Sequence, residues 1–144
     1  MKTYVEFISE AFPPYDGEED EINLGRWRKR LAEFLADGIN KAGIATDEIF
    51  SEDWGWVIPV RNKDFKLWVG CGNYEEYPNG FLCFIEPSKP YVRKLFKKIS
   101  TIEKVTQLRE AIDKLLSSKS NVQNIKWWTT EEFNNQETQN NTLN

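Results

Sequence analysis

The chain has no histidine in 144 residues, only two cysteines and one methionine. Without histidine there is no Ser-His or Cys-His nucleophile pair and no imidazole general base. Two cysteines on separate predicted strands do not make a transition-metal ligand set, so no metal and no cofactor is expected. No apolar run approaches the ~18 residues of a membrane helix. Met1-Lys2-Thr3 leads into a mixed polar and apolar strand with no apolar leader segment, so the expected address is the cytoplasm and no membrane partner is expected.

What is present is aromatic. Fourteen per cent of the residues are Phe, Trp or Tyr, six of them Trp, and such side chains each bury about 150–250 Å². The net charge is −4, unevenly spread: residues 1–60 hold 13 acids and 6 bases, residues 61–144 hold 10 acids and 13 bases. The acids gather at Asp16 to Glu21 and at Asp47, Glu48, Glu52 and Asp53. Such a field repels nucleic acid and suits a basic partner.

The length fits one domain. Tyr4–Ile8 reads as a strand ended by Pro13-Pro14. Asn23 is a candidate N-cap for an amphipathic helix carrying Leu24, Trp27, Leu31, Phe34, Leu35, Ile39 and Ala42 to a terminal Gly43. Strands follow at about 54–61, 65–73 and 81–86, with turn chemistry in Arg61-Asn62-Lys63-Asp64 and Tyr77-Pro78-Asn79-Gly80. A short basic helix is predicted at about 90–98. Ser100-Thr101-Ile102-Glu103 has the form of a capping box, before a helix with Ile102, Val105, Leu108, Ile112, Leu115 and Leu116 on one face. Ile125–Trp128 reads as an edge strand, and the Asn/Gln/Thr-rich residues 134–144 as a disordered tail after a single domain of residues 1–133. The order β-α-β-β-β-α-β predicts an α+β fold, an antiparallel sheet of about five strands with two main helices on one face.

A two-residue turn at Asn62-Lys63 would set Trp54 against Cys71, Trp56 against Val69 and Gly55 against Gly70. That register places Trp54 and Trp56 in the core. It leaves Gly55, Gly70 and Gly72 on the other face as a bare floor beside Trp68, with Leu82 and Phe84 nearby; glycine within a strand often marks close approach of a ligand or another backbone. Packing of Trp127, Trp128 or the N-terminal loop into that floor is the alternative. A turn at residues 77–80 would place Cys71 opposite position 87, well out of disulfide reach of Cys83, so two buried reduced thiols are expected.

Other motifs carry less. Gly70-Cys71-Gly72 has Glu75 where a dinucleotide fingerprint needs its third glycine, and it leads into a hairpin. Asp16–Glu21 lacks calcium-loop spacing. Glu52 and Asp53 alternate across a strand and make a poor acid–base pair. In Arg26–Arg30 the bases read as the solvated side of a helix around an inward Trp27. Neither that run nor Arg93–Lys98 joins bases and rings as a nucleic-acid platform requires.

Ile22-Asn23-Leu24-Gly25-Arg26-Trp27, Glu52-Asp53-Trp54-Gly55-Trp56, Leu67-Trp68-Val69-Gly70-Cys71-Gly72-Asn73 and Trp127-Trp128 together resemble a group of small bacterial proteins over roughly residues 4–130. That resemblance implies no catalytic residues. In size, acidity, layout and Trp-Gly motifs the chain also looks like immunity proteins of bacterial toxin systems. The expected function is non-catalytic protein binding, with a basic toxin as one partner class. Trp68 would be the anchor above Gly55, Gly70 and Gly72, and Tyr74, Tyr77, Asp47, Glu48, Glu52 and Asp53 would form the rim. The alternative is a small-ligand or carbohydrate-binding module using the same Trp68; a third is an enzyme of unrecognised class.

Overall fold

In the computed structural model of the protein, the residues described are 1–15, 28–73 and 79–143, with the side chains of residues 73 and 137–143 outside the description. The fold is α+β. Among the described residues, eight strands and three helices run β1 (Lys2–Ser9), α1 (Lys29–Lys41), β2 (Phe50–Glu52), β3 (Gly55–Val60), β4 (Leu67–Asn73), β5 (Gly80–Glu86), β6 (Tyr91–Lys94), β7 (Lys97–Ser100), α2 (Ile102–Ser117), β8 (Val122–Thr129) and α3 (Thr130–Leu143). Six strands form one antiparallel sheet in the order β2-β3-β4-β5-β1-β8, and β6-β7 is a separate hairpin.

Strand alternation sorts the side chains onto two faces. On one, Val5, Phe7, Ile58, Val60, Leu67, Val69, Cys71, Phe81, Cys83 and Ile85 are buried. Leu31, Ala32, Leu35 and Ile39 of α1 and Val105, Leu108, Ile112 and Leu116 of α2 close over them. Each helix presents its apolar residues at three- and four-residue spacing, so one stripe is covered and the rest is wet. The two helices meet where Gly38 faces Leu115, and a Cβ at 38 would stand 2.4 Å from Leu115 Cδ2.

Helix α1 stops as its sequence predicts. Gly43 takes φ +92°, and the amides of Gly43 and Ile44 donate to the carbonyls of Asn40 and Ile39, a Schellman ending that requires a left-handed residue. Its other end differs from expectation. Asn23, Leu24 and Trp27 lie outside the described residues. Arg28, read as part of a solvated basic side, is buried with its guanidinium 4.2 Å above the Phe81 ring.

Several elements correct the sequence reading. The first meander turn is a six-residue loop, because Phe65 turns into the core and Asn62 Nδ2 donates to its carbonyl. The register therefore slips by two: Trp56 faces Cys71, Ile58 faces Val69, and Gly55 faces Gly72. The second turn slips by four, so Cys71 stands directly opposite Cys83, not out of reach of it. Both cysteines are free and buried, with Cys83 Sγ donating to Cys71 Sγ at 3.8 Å. That hydrogen bond and the loss of water hold the Cys71 thiol well above its ordinary pKa.

The predicted helix at 90–98 is the β6–β7 hairpin. In place of a capping box, Thr101 is the N-cap of α2, and its hydroxyl donates to the carbonyl of Lys89. The sheet has six strands, the extra one being β2, and residues read as a disordered tail belong to α3 as far as Leu143. Helix α3 packs on β1 and β8, and Phe133 stacks on Tyr4 at 4.8 Å, so it covers part of the face opposite α1 and α2. No described helix is long and apolar enough to cross a membrane.

Candidate functional site

The second face of the sheet can be read off the ladder row by row. One row crosses five strand pairs as Phe50, Val57, Gly70, Phe84, Tyr4 and Trp128. The next crosses as Glu52, Gly55, Gly72, Leu82, Glu6 and Lys126. Directly opposed residues share a face, so one row carries rings on both sides of Val57 and Gly70, and the next carries two adjacent glycines with charged residues toward both edges.

The glycines are not a bare floor. A Cβ at Gly70 would lie 2.4 Å from Cζ of Phe84, and one at Gly72 would lie 3.2 Å from the carbonyl oxygen of Trp54. Their missing side chains let Phe84 and Trp54 settle against the backbone. The open strip that the sequence suggested is thus filled from within the chain. Gly70 seats the Phe84 ring, and Gly72 lies against the Trp54 carbonyl and the edge of its indole.

Trp54 is the main correction. It was read as a core residue, yet it is 39% exposed. The cause is the turn: Glu52 pairs with Gly55, which leaves Asp53 and Trp54 as a two-residue connection between β2 and β3. A turn residue escapes the strand alternation, and this indole folds over the second face. Its centroid lies 5.2 Å from that of Phe84 and 6.0 Å from that of Trp68. Trp68 meets Phe84 edge-on at 5.5 Å, a geometry that suits ring quadrupoles. Phe84 continues to Tyr4 at 5.7 Å, and Tyr4 to Phe133. Trp56, by contrast, packs against the core as expected.

Beside the rings lies a groove of about 750 Å³ walled by Phe50, Trp54, Val57, Pro59 and Trp68. Phe50 is 44% exposed at its mouth. Charged residues of both signs line it: Asp47, Glu52, Arg61, Lys63 and Lys66. Arg61 Nε is held by Asp47 Oδ1 at 2.8 Å in an exposed pair, one that contributes little stability by itself. Glu86 stands opposite Trp68 on the same face. Partial burial raises its carboxyl above the ordinary value, against a lowering hydrogen bond from the Ser88 backbone.

Of the residues expected at the site, Trp68, Asp47 and Glu52 line the groove. Glu48 and Asp53 are exposed in the same β2 segment without lining it. Gly55, Gly70 and Gly72 lie on the right face beneath or beside the rings. Tyr74 and Tyr77 lie outside the described residues. Trp127 and Trp128 do not cover Trp68, since β8 is the far edge with β5 and β1 between it and β4. The indole of Trp127 donates to Asp113 of α2 on the helix-covered side. Phe50, Pro59 and the three bases were missed. Phe50 sits in a three-residue strand too short to show alternation, and the bases come from a loop longer than its sequence suggests.

Comparison with protein-family models, curated proteins and solved structures finds no match for this chain.

Proposed function

We propose that the chain is a protein-binding domain that holds its partner on the second face of the sheet, in the groove walled by Phe50, Trp54 and Trp68. One observation carries this reading: Trp54, Trp68 and Phe84 are braced against one another, with Trp54 partly exposed, beside a groove that Phe50 also walls. Braced rings bind with little loss of side-chain freedom, which is why Trp anchors concentrate binding energy in protein interfaces. Glu48, Glu52 and Asp53 add acids in and beside β2, and Lys63 and Lys66 add bases from the β3–β4 loop. The matching partner presents an apolar anchor with basic residues toward β2. A basic toxin domain is such a partner, and with it the chain would act as an immunity protein. The complete lack of histidine and the separation of the acids favour binding over turnover.

Co-purification from the native host tests this, followed by Trp68→Ala and Trp54→Ala. The partner should be lost or weakened by on the order of 2 kcal/mol or more for a central Trp anchor. Retention at full affinity by both variants would remove the groove from the interface.

A second reading, a small-ligand or carbohydrate module, is favoured by size, since ligand sites usually enclose about 300–1,000 Å³. Titrating intrinsic tryptophan fluorescence with a panel of sugars and aromatic ligands separates the two. A saturable change reversed by Trp68→Ala would support the small ligand.

A further inference from the structure

The β6–β7 hairpin shares no residue with the groove, and its tip runs against local preference in three ways. Lys94 pairs with Lys97, so Leu95 and Phe96 form a two-residue turn. Such turns favour Asn or Gly because left-handed backbone is needed; here Leu95 holds φ +57°, a conformation that costs a bulky residue free energy. Leu95 and Phe96 are also 96% and 101% exposed, two adjacent apolar side chains wholly in water. Finally, Arg93 faces Lys98 and Lys94 faces Lys97, two like-charge pairs that repel across the ladder. None of these four cations has an acidic partner among the described residues.

We propose that this tip is an insertion element for an anionic lipid surface. Leu95 and Phe96 enter the boundary between headgroups and acyl chains, and Arg93, Lys94, Lys97 and Lys98 lie among the lipid phosphates, where their mutual repulsion is relieved. Tyr91, at the base of the hairpin with Lys98 Nζ 4.0 Å above its ring, stands four residues from Leu95. At about 3.3 Å per residue, that sets it roughly 13 Å away, at the headgroup level where tyrosines are enriched. Val92 and Ile99, facing each other, pack against the core and fix the hairpin to the body. Nucleic acid would also take the cations, but it has no use for an aliphatic Leu beside the ring, since stacking needs flat side chains. The expectation of no membrane partner rested on the lack of a spanning segment, which surface insertion does not require.

The test is co-sedimentation of the full chain with vesicles of phosphatidylcholine alone or mixed with phosphatidylglycerol, at low and high salt. Binding is expected only with the anionic lipid and should weaken as salt rises. The double variant Leu95→Asn, Phe96→Gly puts a residue that tolerates left-handed backbone at the one position that needs it and leaves the body of the fold untouched, so it should still fold. It should nonetheless bind about tenfold more weakly or worse. Lys94→Gln with Lys97→Gln should weaken binding about thirtyfold, given roughly 1 kcal/mol per cation at an anionic surface. Equal binding to both vesicle types, no binding to either, or full binding by the Asn-Gly variant would overturn the proposal. So would binding of a labelled single-stranded oligonucleotide with no vesicle binding, which would move the tip to nucleic acid.

Discussion

The two faces of the six-stranded sheet are made by the same strands and differ in every other respect. The face under α1 and α2 is largely aliphatic, with Ile58, Val69 and Ile85 side by side and fully buried. The other is aromatic, with the Phe84 ring seated on Gly70, and among the described helices α3 covers its β1–β8 end. A covered face gains by interdigitating branched side chains, as close-packed interiors do. A face left partly open needs side chains that stay ordered without a lid. Rings that lean on one another over bare backbone achieve that, and what orders them also leaves their edges available to a partner.

Four substitutions would break or sharpen this contrast. The largest effect belongs to the covered face: Ile58→Ala should lower unfolding free energy by about 2–5 kcal/mol, read from urea denaturation. Gly70→Ala comes next, at about 1–3 kcal/mol, because its methyl must push the Phe84 ring out of contact with Trp54, Trp68 and Tyr4. Adding Phe84→Leu should recover much of that loss, and a simply additive double variant would refute ring-on-glycine seating. Trp54→Ala should cost only ~1–2 kcal/mol, since much of the indole is already in water. A loss exceeding that of Ile58→Ala would return Trp54 to the core.

The smallest effect is Glu86→Gln. The folded carboxyl titrates above its ordinary value of 4.5, so the folded state binds the proton more tightly than the unfolded chain does. The resulting stability is full below the unfolded pKa and is lost as pH rises through the folded one. Thermal midpoints from the ordinary glutamate range up to neutrality should show this shallow decline, and Glu86→Gln should flatten it.

Much of the two-faced sheet was legible because both register errors were even. Slips of two and four residues move every partner yet flip no side chain, so Gly55, Trp68, Gly70 and Gly72 kept their face although Gly55 met a different glycine. Loop length was not legible, because it depends on Phe65 finding the core and on Asn62 bonding to its carbonyl, both long-range outcomes. The 90–98 segment misled for a specific reason. Val92, Leu95, Phe96 and Ile99 stand at the spacing of an amphipathic helix face, but Val92 and Ile99 pair inward while Leu95 and Phe96 point away from everything. Trp54 was lost to the core reading because its position in a turn, not its strand parity, decides where its indole goes.

The position of β1 has a consequence in time. It precedes the other described strands in the chain, yet it lies between β5 and β8, and the Ser9 hydroxyl donates to the carbonyl of Asn121, 112 residues later. On the ribosome, β2 to β5 can zip as a local meander, while β1 must wait for β5 on one side and the final third of the chain on the other. Until β8 arrives, β1 is either unpaired or the outer edge of an incomplete sheet, an open invitation to another nascent chain. Closing such distant pairs costs more chain entropy than closing the β2–β5 meander, so the β1–β8 seam is the expensive one to make.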